Sequence, residues 1–200
     1  MANRKKILTI RKWIATFSSR ILRLESSKLT KGRLRRIVAF WNSFEDWIKF
    51  EMADAAGRLQ ESEDWGDGDN VGVEYRATLT TRTKAGWPRR KLVDVWAACE
   101  PRAVRWHFVE LKVAFDNSNA QKQFWSWRKD LESLRKIDRR IGEQIPASIS
   151  SIMFAVGFSR KALLGRVGKA TAGLGCPKPL MERLPLGDKW IDVVAIVEER

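Results

Sequence analysis

Asp94, Glu110 and Lys112 are charged residues set inside apolar stretches of the chain. KLVDVWAAC, residues 91–99, carries a carboxylate between Val93 and Val95, and RWHFVELKVAF, residues 105–115, carries a carboxylate and an ammonium two positions apart. In a β-strand residues i and i+2 share a face. Glu110 and Lys112 therefore project together with Trp106, Phe108 and Ala114. His107, Val109, Leu111, Val113 and Phe115 take the other face, which suits packing against a helix. An ion pair on an apolar central strand is costly to desolvate, so these charges call for a purpose. If the two strands pair through the turn at 100–104, Asp94 and Glu110 reach the same end of the sheet. Two converging carboxylates suit Mg²⁺, which takes hard oxygen ligands and keeps several waters. Such an ion can activate water and offset charge on a phosphodiester. Lys112 beside it can position the water or neutralise charge in the transition state.

The elements that must hold these residues follow from periodicity. Ile10, Trp13, Ile14, Phe17, Ile21 and Leu24 recur at helical spacing in a basic N-terminal arm. A second helix runs from about 33 to 60, with Ile37, Trp41, Phe44, Ile48, Met52, Ala55 and Leu59 as its stripe. EDWGDGDN, residues 63–70, reads as a loop. A strand is expected at 71–82, a turn at 84–88, strands at 90–99 and 105–115, and a helix whose stripe runs from Ala120 through Phe124, Trp127, Leu131 and Leu134 to Ile141. Residues 147–159, uncharged, read as a buried strand and 160–171 as a short helix. A Gly/Pro-rich loop then leads to a last strand, KWIDVVAIVEE. A three-strand meander followed by a crossover helix brings the next strand in alongside, parallel to the third. The reading is of two parts, a basic helical arm at 1–32 and one α/β domain at 33–200.

Helix-strand-strand-strand-helix-strand, with Asp94 on the second strand and Glu110-x-Lys112 on the third, resembles the PD-(D/E)xK nuclease superfamily over about residues 33–158. The resemblance implies a restriction-endonuclease-like core, a mixed central sheet flanked by helices, and phosphodiester cleavage of DNA with Mg²⁺ or Mn²⁺. It implies Asp94 and Glu110 as metal ligands and Lys112 as the catalytic lysine. Val93 stands where the family's name puts proline. Many members add an acid from the first helix. Glu45 and Glu51 both qualify, each about 60° from the centre of the apolar stripe on opposite flanks. Glu51, nearer the helix end that feeds the sheet, is the choice. Gln123-Phe-Trp-Ser-Trp127 is similar to the Gln-x-x-x-Tyr element of the exonuclease branch, with Trp127 in place of tyrosine, and makes Gln123 a further candidate. The same tryptophans also fit a core stripe.

The net charge of +14 is concentrated: residues 1–36 hold twelve Lys and Arg against Glu25 alone. Such an arm attracts phosphate or anionic lipid. Arg4, Lys5, Lys6, Arg11, Lys12, Arg33, Arg35 and Arg36 are its candidate contacts to a nucleic acid, joined by Lys161, Arg166 and Lys169, because phosphate contacts need positive charge and reach. GRVGKATAG, residues 165–173, lacks the spacing and the hydroxyl of a phosphate loop, Ala170 standing where Ser or Thr belongs. His107, facing away from Glu110, reads as a core histidine. Among the ten tryptophans, Trp13, Trp41 and Trp127 sit on apolar stripes, while the loop residues Trp65 and Trp87 are the candidates for base stacking. Cys99 and Cys176 offer neither a disulfide framework nor zinc spacing, and a reducing cytoplasm is expected. No apolar run is long enough to span a bilayer, while an Arg-rich start also fits an organellar targeting peptide. Two other roles fit the same sequence: a nucleic-acid-binding module of this fold without turnover, and a protein-interaction domain docking an acidic partner on the arm.

Overall fold

A computed structural model describes residues 11–20, 41–63, 70–99, 105–114, 120–143, 145–186 and 189–200. Among them are four helices: α1 at residues 11–20, α2 (Trp41–Glu63), α3 (Ala120–Leu134) and α4 (Arg160–Thr171). Six strands, β1 (Val71–Arg82), β2 (Pro88–Cys99), β3 (Arg105–Ala114), β4 (Ser148–Gly157), β5 (Leu180–Leu186) and β6 (Lys189–Glu199), form one sheet in the order β1-β2-β3-β4-β6-β5. The β1-β2-β3 meander is antiparallel, β3 and β4 run parallel, and β6 and β5 complete the far edge antiparallel. The class is α/β with a mixed sheet.

The alternation along β3 decides the layers. Val109, Leu111 and Val113 join Phe44, Ile48 and Met52 of α2 in one core. Ala114 packs with Trp127 and Leu131 of α3 and with Leu163 and Val167 of α4 in another. Trp106 and Phe108 pack with Leu134, Ile137 and Val93 at the end of that same face. His107 is buried on the α2 side with its ring edge-on to Trp13 at 6.2 Å. Every residue of β4 is buried, as a strand covered on both faces requires.

Trp13, Ile14 and Phe17 of α1 lie in the same core as α2, and the Trp13 indole N–H donates to the Met52 carbonyl at 2.8 Å. The described part of the basic arm thus packs onto the α/β unit. Two expectations need correction. Helix α3 stops at Leu134 instead of continuing to Ile141, because the chain beyond it pairs with the outer edge of β1. Thr80 N–H donates to the Lys136 carbonyl at 2.7 Å and Asp138 N–H to the Thr78 carbonyl at 2.8 Å. The Leu134 carbonyl, at the helix end, accepts from the Ile137 N–H at 3.2 Å, from the Arg200 guanidinium at 3.1 Å and from the Ser151 hydroxyl at 3.1 Å. The segment ahead of the last strand also holds a strand of its own, β5. Pro185 is tolerated there because β5 is an edge strand.

Candidate active site

β2 and β3 are zipped from Cys99 opposite Arg105 to Val95 opposite Val109. One step further, that register would set Asp94 against Glu110, two like charges directly across a ladder, which is destabilising. The β2–β3 pairing ends there. The Asp94 carboxylate instead accepts the Leu111 N–H at 2.7 Å, so a side chain takes over from the strand's own carbonyl. The side-chain alternation of β2 also breaks at this residue: Val95 lies in the α2 core and Val93 in the core of the opposite face. Glu74, on the neighbouring strand, has a left-handed backbone with φ of 58°, a conformation rarely adopted by non-glycine residues. The kink and the parting of β2 from β3 place Asp94 where it meets charges from both sides.

Four groups close a ring on the α3 side. Lys112 Nζ lies 2.8 Å from Glu110 Oε1 and 2.7 Å from Asp130 Oδ2, and Lys91 Nζ lies 3.0 Å from Glu110 Oε2 and 2.8 Å from Asp130 Oδ1. On the α2 side Lys49 Nζ is 3.3 Å from both Asp94 and Asp46. Burial raises the pKa of Glu110. Lys112 and Lys91 pull it down and the Asp94 and Asp130 charges push it up, and the balance stays raised. Burial likewise raises Glu45, on which Lys112 and Asp94 are the next influences, with opposite signs. Burial would lower Lys112, but Glu110 and Asp130 more than offset it and its pKa is well above that of a free lysine. Asp130 is lowered, burial being outweighed by Lys112 and Lys91. Lys112 is therefore a fixed cation and Glu110 a reluctant anion.

Asp94, Glu110 and Lys112 thus meet where the β2–β3 pairing ends: Glu110 and Lys112 are paired with each other, and Asp94, held by Lys49, acts on Glu110 through its charge. The choice between the helix acids reverses. Glu51 is held by Arg20 of α1 at 2.8 Å, tying two helices together, whereas Glu45 is the α2 acid that feels Asp94 and Lys112. The reason is the helix's direction over the sheet: its first half lies above Asp94, as the Lys49 contact records. Lys91 and Asp130 were not singled out by sequence. Asp130 flanks the α3 stripe one turn after Trp127, a placement that by itself marks an ordinary helix acid. Trp127 itself is buried beside Leu131 in the core, and the side chain of Gln123 lies outside the described residues. Arg4, Lys5, Lys6, Arg33, Arg35 and Arg36 also lie outside them. Arg11, Lys12, Lys161 and Lys169 are exposed. Arg166 is buried, at 6 % exposure, because it falls on the inward stripe of α4 with Leu163, Val167 and Ala170. It is therefore withdrawn from the set available to phosphate.

Among the described residues no group of three or more His, Cys, Asp or Glu side chains is gathered as a metal site. The donor set still suits a hard cation. Around the break, Lys49, Lys91 and Lys112 face Glu45, Asp46, Asp94, Glu110 and Asp130. Three ammonium groups against five carboxylates leave an excess of two negative charges when all are ionised, which one divalent cation would offset, although burial of Glu110 and Glu45 works against full ionisation in its absence. No protein-family model, curated protein or solved structure matches this chain. No helix among the described residues is long and apolar enough to cross a membrane.

Proposed function

We propose that this chain is a divalent-metal-dependent nuclease that hydrolyses phosphodiester bonds of DNA, on a restriction-endonuclease-like core of the PD-(D/E)xK kind. The supporting observation is the ladder break, where Asp94 replaces a strand carbonyl at Leu111 and leaves two carboxylates and a lysine on adjacent strands where the β2–β3 pairing ends. Mg²⁺ or Mn²⁺, when bound, would supply an activated water and offset charge on the phosphate. Asp94, Glu110 and the α2 residue Glu45 would hold it. Asp94 has one oxygen fixed by the backbone N–H, so its rotamer is set before any ligand arrives. Lys112 stays protonated at neutral pH, so it orients and stabilises, donating to the attacking water or a phosphate oxygen, and does not remove a proton. Asp130 holds the Lys112 ammonium when substrate is absent and Lys91 holds Asp130 and Glu110 in turn, so both are positioning residues.

The test is incubation of the purified chain with supercoiled and linear DNA in 10 mM Mg²⁺ or Mn²⁺. Nicking or degradation that EDTA stops is expected. The same ion should raise the melting temperature, since a ligand at ten times its Kd stabilises by about 1.4 kcal/mol. Absence of both effects with either ion would leave the second reading, a nucleic-acid-binding scaffold. The complete pairing of Glu110 with Lys91 and Lys112 is the observation that favours it.

A further inference from the structure

The β1–β2 hairpin outruns the sheet. β2 pairs with β3 only from Val95 onward, yet its pairing with β1 continues to Pro88 opposite Arg82. Beyond the ladder break the two strands thus form a ribbon that has β3 on neither side. Its base is anchored at the candidate site itself by Lys91, which reaches Glu110 and Asp130, and on the outer edge by the Thr80 and Asp138 backbone bonds. From there outward it is exposed, residues 82–90 without exception.

The composition of the ribbon is one-sided. Between Glu74 and Asp94 there is no acid, while Arg76, Arg82, Lys84, Arg89, Arg90 and Lys91 are all basic. The register of Arg76 with Leu92 and of Thr78 with Arg90 puts Arg76, Arg90 and Leu92 on the face opposite Ala77 and Lys91. Trp87, at the tip, is 73 % exposed, and Leu92 51 %. The tip is built to keep its shape. Thr83 N–H donates to the Trp87 carbonyl at 2.7 Å, Gly86 N–H to the Thr83 carbonyl at 3.0 Å, and the Arg82 guanidinium to the Gly86 carbonyl at 2.8 Å. Gly86, at φ 84°, supplies the left-handed step the turn needs.

Charged side chains on a β1 edge are an ordinary guard against edge pairing, but that purpose is served by mixed charges and gives no reason for a bare tryptophan at the tip. We infer that this ribbon is a duplex-DNA-gripping element that lies in the major groove and leads the backbone to the ladder break at Asp94 and Glu110. A two-stranded β-ribbon fits the B-form major groove, whereas the deep, narrow major groove of A-form RNA is closed to it. The exposed cations meet phosphates, and Trp87 and Leu92 supply apolar contact at base edges. The inference rests on the phosphodiester substrate proposed above.

The experiment is duplex binding by the full chain in EDTA, where no cleavage can occur, over a range of salt. The variants are a Lys84→Gln, Arg89→Gln, Arg90→Gln triple and Trp87→Ala. All four positions are exposed, and thermal melting checks that each variant is folded. The triple should bind about 10- to 100-fold more weakly near 0.1 M salt, with the slope of log K against log salt smaller by about two to three, each lost phosphate contact removing about 0.9. Trp87→Ala should weaken binding several-fold with the slope unchanged. A triple variant with the wild-type affinity and slope overturns the inference, as does a wild-type chain that binds an RNA duplex in preference to DNA. Binding that depends on the ribbon in a chain that never cuts sustains it while removing the nuclease reading. Cutting that is indifferent to the ribbon does the reverse.

Discussion

At the β5–β6 edge, Arg183 stands directly across the ladder from Asp192 and meets it with hydrogen bonds of 2.9 and 3.1 Å. Its guanidinium also lies over the Trp190 ring, 5.5 Å from the centroid. At the β2–β3 end, the register would have put two carboxylates opposite each other, the ladder stops, and lysines shared between several acids hold the result. The first arrangement is one acid against one forked cation, geometrically complete, with nothing left over for a ligand. The second has more acids than bases and uses ammonium groups, point charges that a metal ion can displace without breaking a bidentate fit. A buried carboxylate is therefore informative according to how it is neutralised: Asp192 closes an edge, and Glu110 waits on shared partners.

The widest separation between the two regions is expected from removing the cation in each. Lys112→Ala leaves Glu110 and Asp130 sharing Lys91 alone and should cost about 3 kcal/mol of stability, the lower end for a broken buried pair, abolish cleavage, and leave duplex binding in EDTA nearly intact, since the proposed phosphate contacts lie elsewhere. Lys112→Arg should restore most of the stability without restoring cleavage. Arg183→Ala should cost about 1–3 kcal/mol, the range for a buried acceptor left without its partner, and leave the rate of cleavage unchanged. Chemical denaturation and a plasmid-nicking assay on the three variants measure both axes. Equal cleavage by Lys112→Ala and the wild type would reduce the β2–β3 cluster to a second Asp192.

Acid should act on the two regions differently. Glu110 and Glu45 have pKa values raised in the fold. Groups of that sign contribute stability that is fully present below their unfolded pKa near 4.5 and lost as pH rises through the folded value. Asp130, lowered below 3.8, contributes in the opposite sense and gives way only as pH falls through its folded value. Glu45→Gln should therefore stabilise the chain at pH 7.5 by about 0.5 kcal/mol, the scale of a modest single change, and the gain should shrink to nothing by pH 4.5. A gain of equal size at both pH values would mean that burial does not hold the Glu45 carboxyl above its ordinary range. Protons compete with a metal for the same oxygens, so cleavage should decline over that interval as well.

The charges at the ladder break were legible because apolar strands make them conspicuous. Asp94 between two valines and Glu110-x-Lys112 within a largely apolar strand stand out at the level of period two, and so did the opposite facing of His107. Lys91 and Asp130 were not legible in the same way. Lys91 ends the run Arg89-Arg90-Lys91 and looks like hairpin solubility, and Asp130 is one acid on an amphipathic helix. Each acquires meaning only from the tertiary contact that closes the ring. The confusion of Glu51 with Glu45 has a geometric origin. Both lie the same angle from the stripe, and the choice turns on which end of α2 crosses Asp94, which helical periodicity does not encode. β5 was hidden by its proline, a residue that excludes central strands but not an edge.

Asp94→Asn has the smallest expected effect on stability and the most to say about the comparison. The amide oxygen can go on accepting the Leu111 N–H, so the ladder break survives the substitution. Lys49 loses one partner at 3.3 Å and keeps Asp46 at the same distance. What disappears is a negative charge that pushes up the pKa of both Glu110 and Glu45. Loss of like-charge repulsion offsets loss of the Lys49 pair, and in EDTA the melting temperature should stay level or rise slightly, within about 1 kcal/mol. In Mg²⁺ the wild type should gain stability and the variant should not, and cleavage should be lost with the metal's ligand. Asp192→Asn supplies the contrast: it weakens a one-to-one Arg pair with no repulsion to relieve, so it should be destabilising with or without the ion. If Asp94→Asn falls by the 3–5 kcal/mol of a broken buried pair, and Mg²⁺ moves neither protein, then Asp94 is to Lys49 what Asp192 is to Arg183, and the ladder break is architecture.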